Sequence, residues 1–337
     1  MARTRITSQQ VAQRAGVSQS AVSRVFSGAS ASETTAQRVR AAAAELGYRP
    51  NVLARSLITG RSRIIGLVVA YLENQFYPDA LERLSNVLQA RGYHILIFTL
   101  SDRDGDADKV IEEMLDYQVD GIIAASVSMS DGLAVQCAAA DIPIVLFNRG
   151  QDDAGLSEVT SDNVAGGQRI AGFLLAGGHR RIAHISGWQE SSTGRDRTRG
   201  FHAGLAAAGQ RVVAEIDGKY RRDIAADAAM QIWRTARPDA IFVGNDHMAF
   251  GVLDALRGPL GLNVPDDVSV VGYDDVAMAA WPAYDLTTLR QPSGRMVEAT
   301  VATLLARIEN PDLAPEKIRI EGALIQRGSA RKPKGQQ

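Results

Sequence analysis

Hydrophobic positions in the first 26 residues recur at helical spacing and predict two short helices joined by a tight turn. Thr7 can cap the first helix, and Gln10, three residues further on, completes a capping box. Gly16 follows the first helix, where a left-handed residue commonly ends a helix, and Ser18 can cap the second. The apolar positions that would pack the two helices together are Val11, Ala15, Val17, Val22 and Val25.

The second predicted helix carries its polar residues on the side opposite this apolar seam. Gln19, Ser20, Ser23 and Arg24 occupy positions i, i+1, i+4 and i+5 of that helix. Two short helices with such a face are typical of the helix-turn-helix, which lays its second helix in the major groove of DNA. An amphipathic hairpin with a solvated polar face would show the same local pattern.

The charge distribution favours the first interpretation. Residues 1–63 contain ten arginines, no lysine and two acidic residues, which gives this segment a net charge of +8. The whole chain has a net charge of −1, so the remainder carries −9. A basic head on an acidic body can bind a polyanion through the head and keep the body away from it.

A third helix and a short Pro-initiated segment follow the predicted helix-turn-helix. Ser32 can cap the third helix, whose apolar stripe Val39, Ala42, Ala43 and Leu46 ends at Gly47. Residues 48–57 form at most one or two helical turns, too short to be stable alone in water. We therefore expect a linker or a segment that becomes ordered on binding.

From residue 64 onward, short apolar runs alternate with helical patterns, which predicts doubly wound parallel sheets. The apolar runs are more numerous than the strands of one typical sheet, so we predict two lobes. A ligand cleft is then expected beyond the carboxyl ends of their strands. The predicted strands are Ile64–Val69, His94–Thr99, Gly121–Ala125, Ile142–Phe147, Ile182–Ser186, Ala240–Val243 and Ser269–Gly272. The predicted helices include 79–91, 107–117, 163–176, 198–208, 224–236 and 246–257.

Other functional classes have little support in the sequence. The glycine motifs of dinucleotide and nucleoside-triphosphate sites are missing, and the five histidines lack metal-ligand spacing, so we expect no cofactor and no metal. Cys137, the single cysteine, lies on an Ala-rich predicted helix and is interpreted as a core residue. With no signal peptide and no apolar run long enough to span a bilayer, we expect a cytoplasmic protein without a membrane partner.

Many collinear motifs resemble those of the lactose repressor (LacI/GalR) family of bacterial transcriptional regulators. In the head they are Val11-Ala12, Ala15-Gly16-Val17-Ser18, Val22-Ser23-Arg24-Val25, Ala44-Glu45-Leu46-Gly47-Tyr48, Pro50-Asn51 and Ala54-Arg55-Ser56-Leu57. In the body they are 177–183, 244–249, 271–275 and 286–292. The resemblance therefore covers nearly the whole chain.

The resemblance implies an all-α helix-turn-helix head and a periplasmic-binding-protein-like α/β body of two doubly wound lobes. Residues 1–49 would form the head and 50–62 the hinge helix and linker. Residues 63–161 and 292–322 would form the N-terminal lobe, and 162–291 and 323–330 the C-terminal lobe. A flexible tail, 331–337, would follow. The polar segment from residue 329 onward contains no leucine, so we expect it to be dispensable for oligomerisation.

The resemblance also assigns roles on the recognition helix. Gln19 and Ser20 match positions that read base edges, and Arg24 matches a groove-facing arginine suited to guanine. The hydroxyl groups of Thr7, Ser18 and Ser23 are expected to contact the DNA backbone.

In the hinge, the resemblance implies that Ala54 lies in the minor groove and that Asn51 and Arg55 contact the walls of the groove. Leu57 has two interpretations. It either packs under the hinge or is inserted between the central base pairs from the minor groove. The surrounding motif favours insertion.

The effector residues are carried over in the same way. Arg197, Asn245 and Asp274 match the family's ligand arginine, amide and carboxylate. Asn148 follows a strand where several relatives have Asp, and Tyr220 occupies the place of a stacking aromatic. Phe76 or Tyr77 lies on the first strand-to-helix loop, although either could be lobe core, and Asp274 could cap local backbone. A carbohydrate suits this set, and the charges of Arg149 and Arg195 also allow a sugar acid or phosphosugar.

Three functions from different classes follow from these patterns. The preferred one is a repressor that binds a palindromic operator as a homodimer and responds to a small molecule. The second is a solute receptor, against which the basic head argues. The third is an α/β enzyme acting on sugars, for which no convergent nucleophile, base or metal cluster is evident. Whether the effector releases DNA or promotes its binding is left open.

Overall fold

A computed structural model describes residues 6–27, 30–49, 61–70, 72–100, 107–127, 131–151 and 155–333. The chain divides into two units, Met1–Arg63 and Ile64–Gln337. We refer to them as the head and the body.

The described part of the head contains three helices around a small apolar core. Thr7 and Gln10 form the predicted capping box, and Gly16 ends the first helix at a φ of 63°. Ser32 caps the third helix, and Gly47 ends it at a φ of 64°. Val11 and Val39 are completely buried where the helices meet. The helices are α1 (Ser8–Ala15), α2 (Gln19–Ser27) and α3 (Glu33–Leu46).

The first lobe of the body is a six-stranded parallel sheet. Its strands are β1 (Ile64–Val69), β2 (His94–Thr99), β3 (Gly121–Ala125), β4 (Ile144–Phe147), β5 (Ser157–Ser161) and β11 (Lys317–Ile320). Their order in the sheet is β11-β5-β4-β3-β1-β2. Helices pack on both faces of the sheet. The helices are α4 (Phe76–Ala90), α5 (Ala107–Asp116), α6 (Asp131–Ala139) and α11 (Ser293–Glu309).

The second lobe repeats this architecture. Its strands are β6 (Ile182–Ser186), β7 (Ala214–Asp217), β8 (Ala240–Val243), β9 (Ser269–Asp274), β10 (Thr287–Arg290) and β12 (Leu324–Ile325). Their order in the sheet is β12-β10-β9-β8-β6-β7, with only β12 antiparallel to its neighbour. The helices are α7 (Asn163–Ala176), α8 (Ser192–Ala206), α9 (Arg222–Ala236) and α10 (Asp246–Arg257), and a 3-10 turn spans Ala277–Ala280.

The chain passes between the two sheets three times. It leaves the first sheet after β5, returns after β10 to form α11, and leaves again between β11 and β12. Helix α11 packs against α4 and against strands of the first sheet. Three neighbouring segments therefore connect the lobes at the edge where the parallel strands end.

The structure differs from the predicted elements in several places. The fourth strand begins at Ile144 rather than Ile142, because Pro143 cannot donate a ladder hydrogen bond. Helix α4 begins three residues earlier than predicted, and α8 begins six residues earlier. Strands β5, β7, β10, β11 and β12 and helix α11 were not predicted. The short strands β7 and β11 lie at sheet edges and have few buried apolar residues, which weakens their hydrophobic signal.

The C-terminal segment is anchored further along the chain than expected. The Ser329 hydroxyl donates to the Val270 carbonyl at 2.7 Å and accepts from the Thr287 amide at 2.8 Å. Arg331, which we expected in the tail, donates its backbone N–H to Ser269 at 3.0 Å. Ser329 is completely buried, so this segment closes the second sheet.

Candidate DNA-binding and effector sites

The polar face predicted on the second helix is exposed to solvent. Gln19, Ser20, Ser23 and Arg24 all lie on the surface of α2. The Gln19 amide donates to the Ser8 hydroxyl at 3.0 Å, so part of the face is already oriented by α1. A helix that presents amide, hydroxyl and guanidinium groups together can hydrogen-bond base edges in a major groove.

The hydroxyl groups at the helix starts serve the fold of the head. The Thr7 hydroxyl accepts a hydrogen bond from the backbone N–H of Gln10 at 3.3 Å, and the Ser18 hydroxyl accepts one from the backbone N–H of Ala21 at 3.2 Å. Ser18 also shares a 2.9 Å hydrogen bond with the hydroxyl of Ser20. Capping and phosphate contact are compatible, because a cap orders the free N–H groups of the first turn that bind anions.

Two arginines in the head have structural contacts that the charge count did not reveal. Arg38 donates to the carbonyls of Ala15 and Gly16, at 2.5 and 3.1 Å, and so completes the end of α1. Arg14 forms an exposed ion pair with Glu45 at 2.7 Å. Asn51, Ala54, Arg55 and Leu57 of the predicted hinge lie outside the described residues.

Arg197 is a buried cation of the second lobe with contacts on several sides. Its Nε donates to Asn163 Oδ1 at 2.9 Å, and one Nη donates to the Gly244 carbonyl at 2.7 Å. The guanidinium lies over the Tyr273 ring, 3.7 Å from the centroid. Burial opposes its charge, but the neighbouring acidic groups, Tyr220 and Asp274 foremost, hold the pKa of Arg197 above its ordinary value.

Asp274 lies opposite this guanidinium at the carboxyl end of β9. Its Oδ1 is 3.4 Å from Arg197 and accepts from the Gln291 amide at 2.8 Å. Its Oδ2 accepts from Asn74, on the first lobe, at 3.1 Å. The carboxylate is therefore buried among side-chain donors from both lobes. Its contacts are not limited to capping the local backbone.

The wall from the first lobe is built around Tyr77. Asn148 donates its Nδ2 to the Tyr77 hydroxyl at 2.8 Å, while Asn148 Oδ1 is buried without a partner. Phe76 packs in the lobe core and stacks on Phe147 with centroids 6.1 Å apart. Of the two aromatic candidates, Tyr77 has its polar group beside Asn148, and Phe76 contributes apolar packing.

Two of the predicted residues on the second lobe have clear local roles. Asn245 caps α10, and its Oδ1 accepts from the Met248 amide at 2.9 Å. The Tyr220 hydroxyl donates to Thr193 at 3.1 Å, and its ring lies so close to Gly187 that a side chain there would clash. Asn148, Tyr220 and Asp274 all have positive φ angles, of 66°, 55° and 125°. Such strained backbone at non-glycine residues clusters at functional sites.

Sequence reasoning missed Asn74, Gln291, Trp188 and Asp246, although each follows the carboxyl end of a strand. That shared position was the available signal. Asp246 is completely buried, accepts from the Val276 amide at 3.0 Å and from the Thr288 hydroxyl at 2.6 Å. Burial and the charge of Asp274 raise the pKa of Asp246 well above its ordinary value. It ties α10 to the loop that follows Asp274.

A further cavity of about 250 Å³ lies beside this cleft. It shares Asn74 with the cleft, and its lining includes Phe250 and Tyr284, whose ring centroids are 4.3 Å apart. In the described part of the chain, no group of three metal-binding side chains comes together. Nor does any described helix combine the length and apolar character needed to cross a bilayer.

Both the head and the body match known sequence families. Residues 7–51 match bacterial regulatory proteins of the lacI family, and residues 171–330 match the periplasmic binding protein-like domain. The ribose operon repressor of Escherichia coli strain K12 is 30% identical over 329 residues, 96% of this chain and 99% of the repressor. The transcriptional repressor PurR of Pectobacterium carotovorum strain PC1 is 34% identical and covers 96% of both chains.

Solved structures agree with these matches. The lac repressor dimer bound to operator and the anti-inducer ONPF is 27% identical, covers 97% of this chain and 99% of its own, and has a TM-score of 0.87. The complex of the transcriptional regulator CelR with cellobiose is 32% identical, covers 97% and 100%, and has a TM-score of 0.71.

Together, the fold and the two sites define a helix-turn-helix regulator with a two-lobe ligand-binding body. The chain belongs to the lacI family of bacterial regulatory proteins. The fold class and the family predicted from the sequence are confirmed.

Proposed function

We propose that this protein is a transcriptional repressor that binds a palindromic operator as a homodimer and is controlled by a carbohydrate effector in the cleft. The observation that carries the proposal is the pairing of Arg197 with Asp274 in the cleft of a chain that also has an exposed recognition helix. One chain thus has both a candidate ligand-binding site and a candidate DNA-binding surface.

On the DNA side, Gln19, Ser20 and Arg24 would read base edges, with Arg24 on guanine. The three hydroxyl residues Thr7, Ser18 and Ser23 would contact phosphates. The hinge residues Asn51, Ala54, Arg55 and Leu57 would occupy the minor groove. Two heads are needed because one recognition helix reads only a few base pairs, and a symmetric dimer matches a palindrome.

On the effector side, hydroxyl groups of a sugar would bind Arg197, Asp274, Asn148 and Asn245, while Tyr220 and Phe76 would contribute aromatic surface. The ribose operon repressor and the CelR complex with cellobiose, both named above, support a carbohydrate. A carboxylate and a guanidinium held in fixed orientations suit the bidentate recognition of sugar hydroxyls.

Control of DNA binding would act through the contacts between the lobes. An effector can shift the lobe arrangement only by the difference between its affinities for the two states. The three segments that cross between the lobes would transmit a change in lobe closure to the first lobe. The first strand of that lobe directly follows the hinge in the chain.

We also propose lobe boundaries at 161–163, 290–292 and 322–324, no catalytic activity, and function in the cytoplasm. The described cleft pairs its carboxylate with one cation and two amides rather than with a nucleophile, which supports binding over catalysis.

The test is operator selection with the full-length protein from random duplex DNA, followed by affinity measurements with and without ribose, cellobiose and related sugars. We expect a palindromic consensus and a sugar-dependent change in affinity of at least about fivefold, the lower range of allosteric coupling. Binding without any sequence preference, or turnover of a sugar, contradicts the proposal.

A further inference from the structure

Arg149 follows Asn148 at the carboxyl end of β4 and lies in the wall of the cleft. It is 6% exposed, and its guanidinium lies 5.3 Å from the centroid of the Trp188 ring, which belongs to the other lobe. Burial raises the pKa of the Tyr77 hydroxyl above its ordinary value, and the charge of Arg149 opposes that rise. Arg149 is therefore part of the same polar cluster as Tyr77 and Asn148.

Unlike Arg197, Arg149 has no counterion among the residues that the structure describes. Arg197 is paired with Asp274, whereas no carboxylate of the described residues forms an ion pair with Arg149. Its Nε is buried and has no hydrogen-bond partner. A guanidinium stacked on an aromatic ring keeps its N–H groups available in its own plane. An unpaired buried charge is costly, so its retention in a cleft points to an anion that arrives with the ligand.

Two further buried atoms in this region lack partners, and both are acceptors. They are Oδ1 of Asn148, whose Nδ2 donates to Tyr77, and Oε1 of Gln291, whose Nε2 donates to Asp274. Hydroxyl groups donate hydrogen bonds, and an oxyanion accepts them. The unsatisfied groups of the described cleft therefore match two hydroxyl donors and one oxyanion acceptor.

We propose that the effector is a polyhydroxylated acid, either a sugar acid or a sugar phosphate, whose oxyanion binds Arg149 while its hydroxyls bind Asn148 and Gln291. This inference rests on the proposed function and makes it more specific. A neutral sugar would satisfy the two amide acceptors but would leave the charge of Arg149 unpaired. Charge-assisted, bidentate binding of a carboxylate or phosphate is stronger than a hydrogen bond to a hydroxyl.

The test compares matched ligands by calorimetry on the full-length protein. The probes are D-ribose, D-ribonate and D-ribose 5-phosphate, with the corresponding glucose and galactose series. We expect at least one acid to bind at least about tenfold more tightly than its neutral sugar, equivalent to about 1.4 kcal/mol. Comparison of the sugar acids with the sugar phosphates shows whether the oxyanion is a carboxylate or a phosphate. Measurements at raised salt suppress weak anion binding to the exposed arginines of the head.

Variants then assign the gain to Arg149. Arg149→Gln should remove the preference for the acid and leave the affinity for the neutral sugar within about threefold. Arg149→Lys keeps the charge but not the planar fork, so it should retain part of the preference. Arg199→Gln, which removes a cation with a side chain 65% exposed, is the matched control and should change neither ligand. Thermal unfolding of ligand-free Arg149→Gln checks that the fold is intact.

The proposal is overturned if no acid in the panel gains affinity through Arg149, whether or not a neutral sugar binds. Operator binding measured on the same preparation separates this outcome from failure of the proposed function. A protein that binds its operator and responds equally to neutral sugars contradicts the acidic effector alone. A protein that binds no specific DNA contradicts the proposed function itself.

Discussion

Asn74 of the first lobe and Asp274 of the second are joined by a hydrogen bond of 3.1 Å from Nδ2 to Oδ2. Asn74 also accepts, through Oδ1, from the Phe76 amide at 3.1 Å, so its orientation is fixed at the start of α4. Both residues are buried. One amide group therefore connects the beginning of a helix in one lobe to the charged centre of the other.

Replacing that amide by a carboxylate should open the lobes. Asn74→Asp keeps an acceptor for the Phe76 amide but turns the group that faces Asp274 from a donor into a like charge. Since a hydrogen bond to a charged group is worth about 1.5–3 kcal/mol, we expect amide exchange in peptides containing Phe76 and Asp274 to accelerate at least tenfold. Asn74→Ser loses the hydrogen bond without adding a charge, so its amide-exchange rates should lie between those of the parent protein and of Asn74→Asp. Equal exchange in all three proteins would show that this bond does not hold the lobes together.

The buried ion pair predicts strong non-additivity between Arg197 and Asp274. Because removal of one partner leaves the other buried without its counterion, Arg197→Met or Asp274→Asn alone should lower the free energy of unfolding by about 3–5 kcal/mol. The double variant should lose less than the sum of the two, and urea unfolding of all four proteins measures the difference. Effector affinity should be abolished in every variant. Additive losses would contradict direct coupling.

On the recognition helix, Arg24→Ala should weaken binding to the selected operator by about 1–3 kcal/mol and relax the preference at one base pair. Arg14, which is exposed and paired with Glu45, provides the control. Arg14→Ala should weaken cognate and scrambled DNA to the same small extent. If Arg24→Ala also weakens both DNAs equally, Arg24 contacts phosphate and not a base.

His184 predicts a pH dependence of stability. Burial lowers its pKa from 6.5 to about 3, and the acceptor role of the Phe242 carbonyl, 3.0 Å away, requires the proton on Nδ1. Nε2 then accepts from Thr198, on the helix that carries Arg197, at 3.1 Å.

The folded state therefore holds His184 neutral, while the unfolded chain takes up a proton below pH 6.5. The contribution of His184 is complete above that pH and is lost as the pH falls toward 3, by at most about 1.4 kcal/mol per pH unit. In His184→Gln this loss disappears, so the stability difference from the parent should shrink between pH 7 and pH 5 in urea titrations. A difference that is constant with pH would contradict the assignment.

The C-terminal segment should divide into a part that supports the second sheet and a part that does not. Ser329→Ala leaves the Val270 carbonyl and the Thr287 amide without a buried partner, which should cost about 1–3 kcal/mol. Truncation after Lys332 keeps Ser329 and Arg331 and should change neither the unfolding temperature nor the dimer mass in light scattering. A truncated protein that loses its dimer would show that residues 333–337 contribute to assembly.

Local patterns in the sequence determined the head and most of the body. The capping box at Thr7, the glycine ends of α1 and α3 and the apolar stripes depend on neighbours within a few residues. The parallel strands at the centre of each sheet are continuous apolar runs, which is the signal of burial on both faces. Both features can be detected without knowledge of the fold.

Only the tertiary structure decided which polar groups meet in the cleft. Asn74, Arg149, Trp188 and Gln291 come from four separate segments, and local sequence indicated no partner for any of them. Edge strands were missed for a related reason, since β7 and β11 are defined by pairing with distant strands rather than by their own residues. The pairing of Arg197 with Asp274, and the lack of a counterion for Arg149 among the described residues, depend on distances between segments far apart in the chain, which local sequence does not encode.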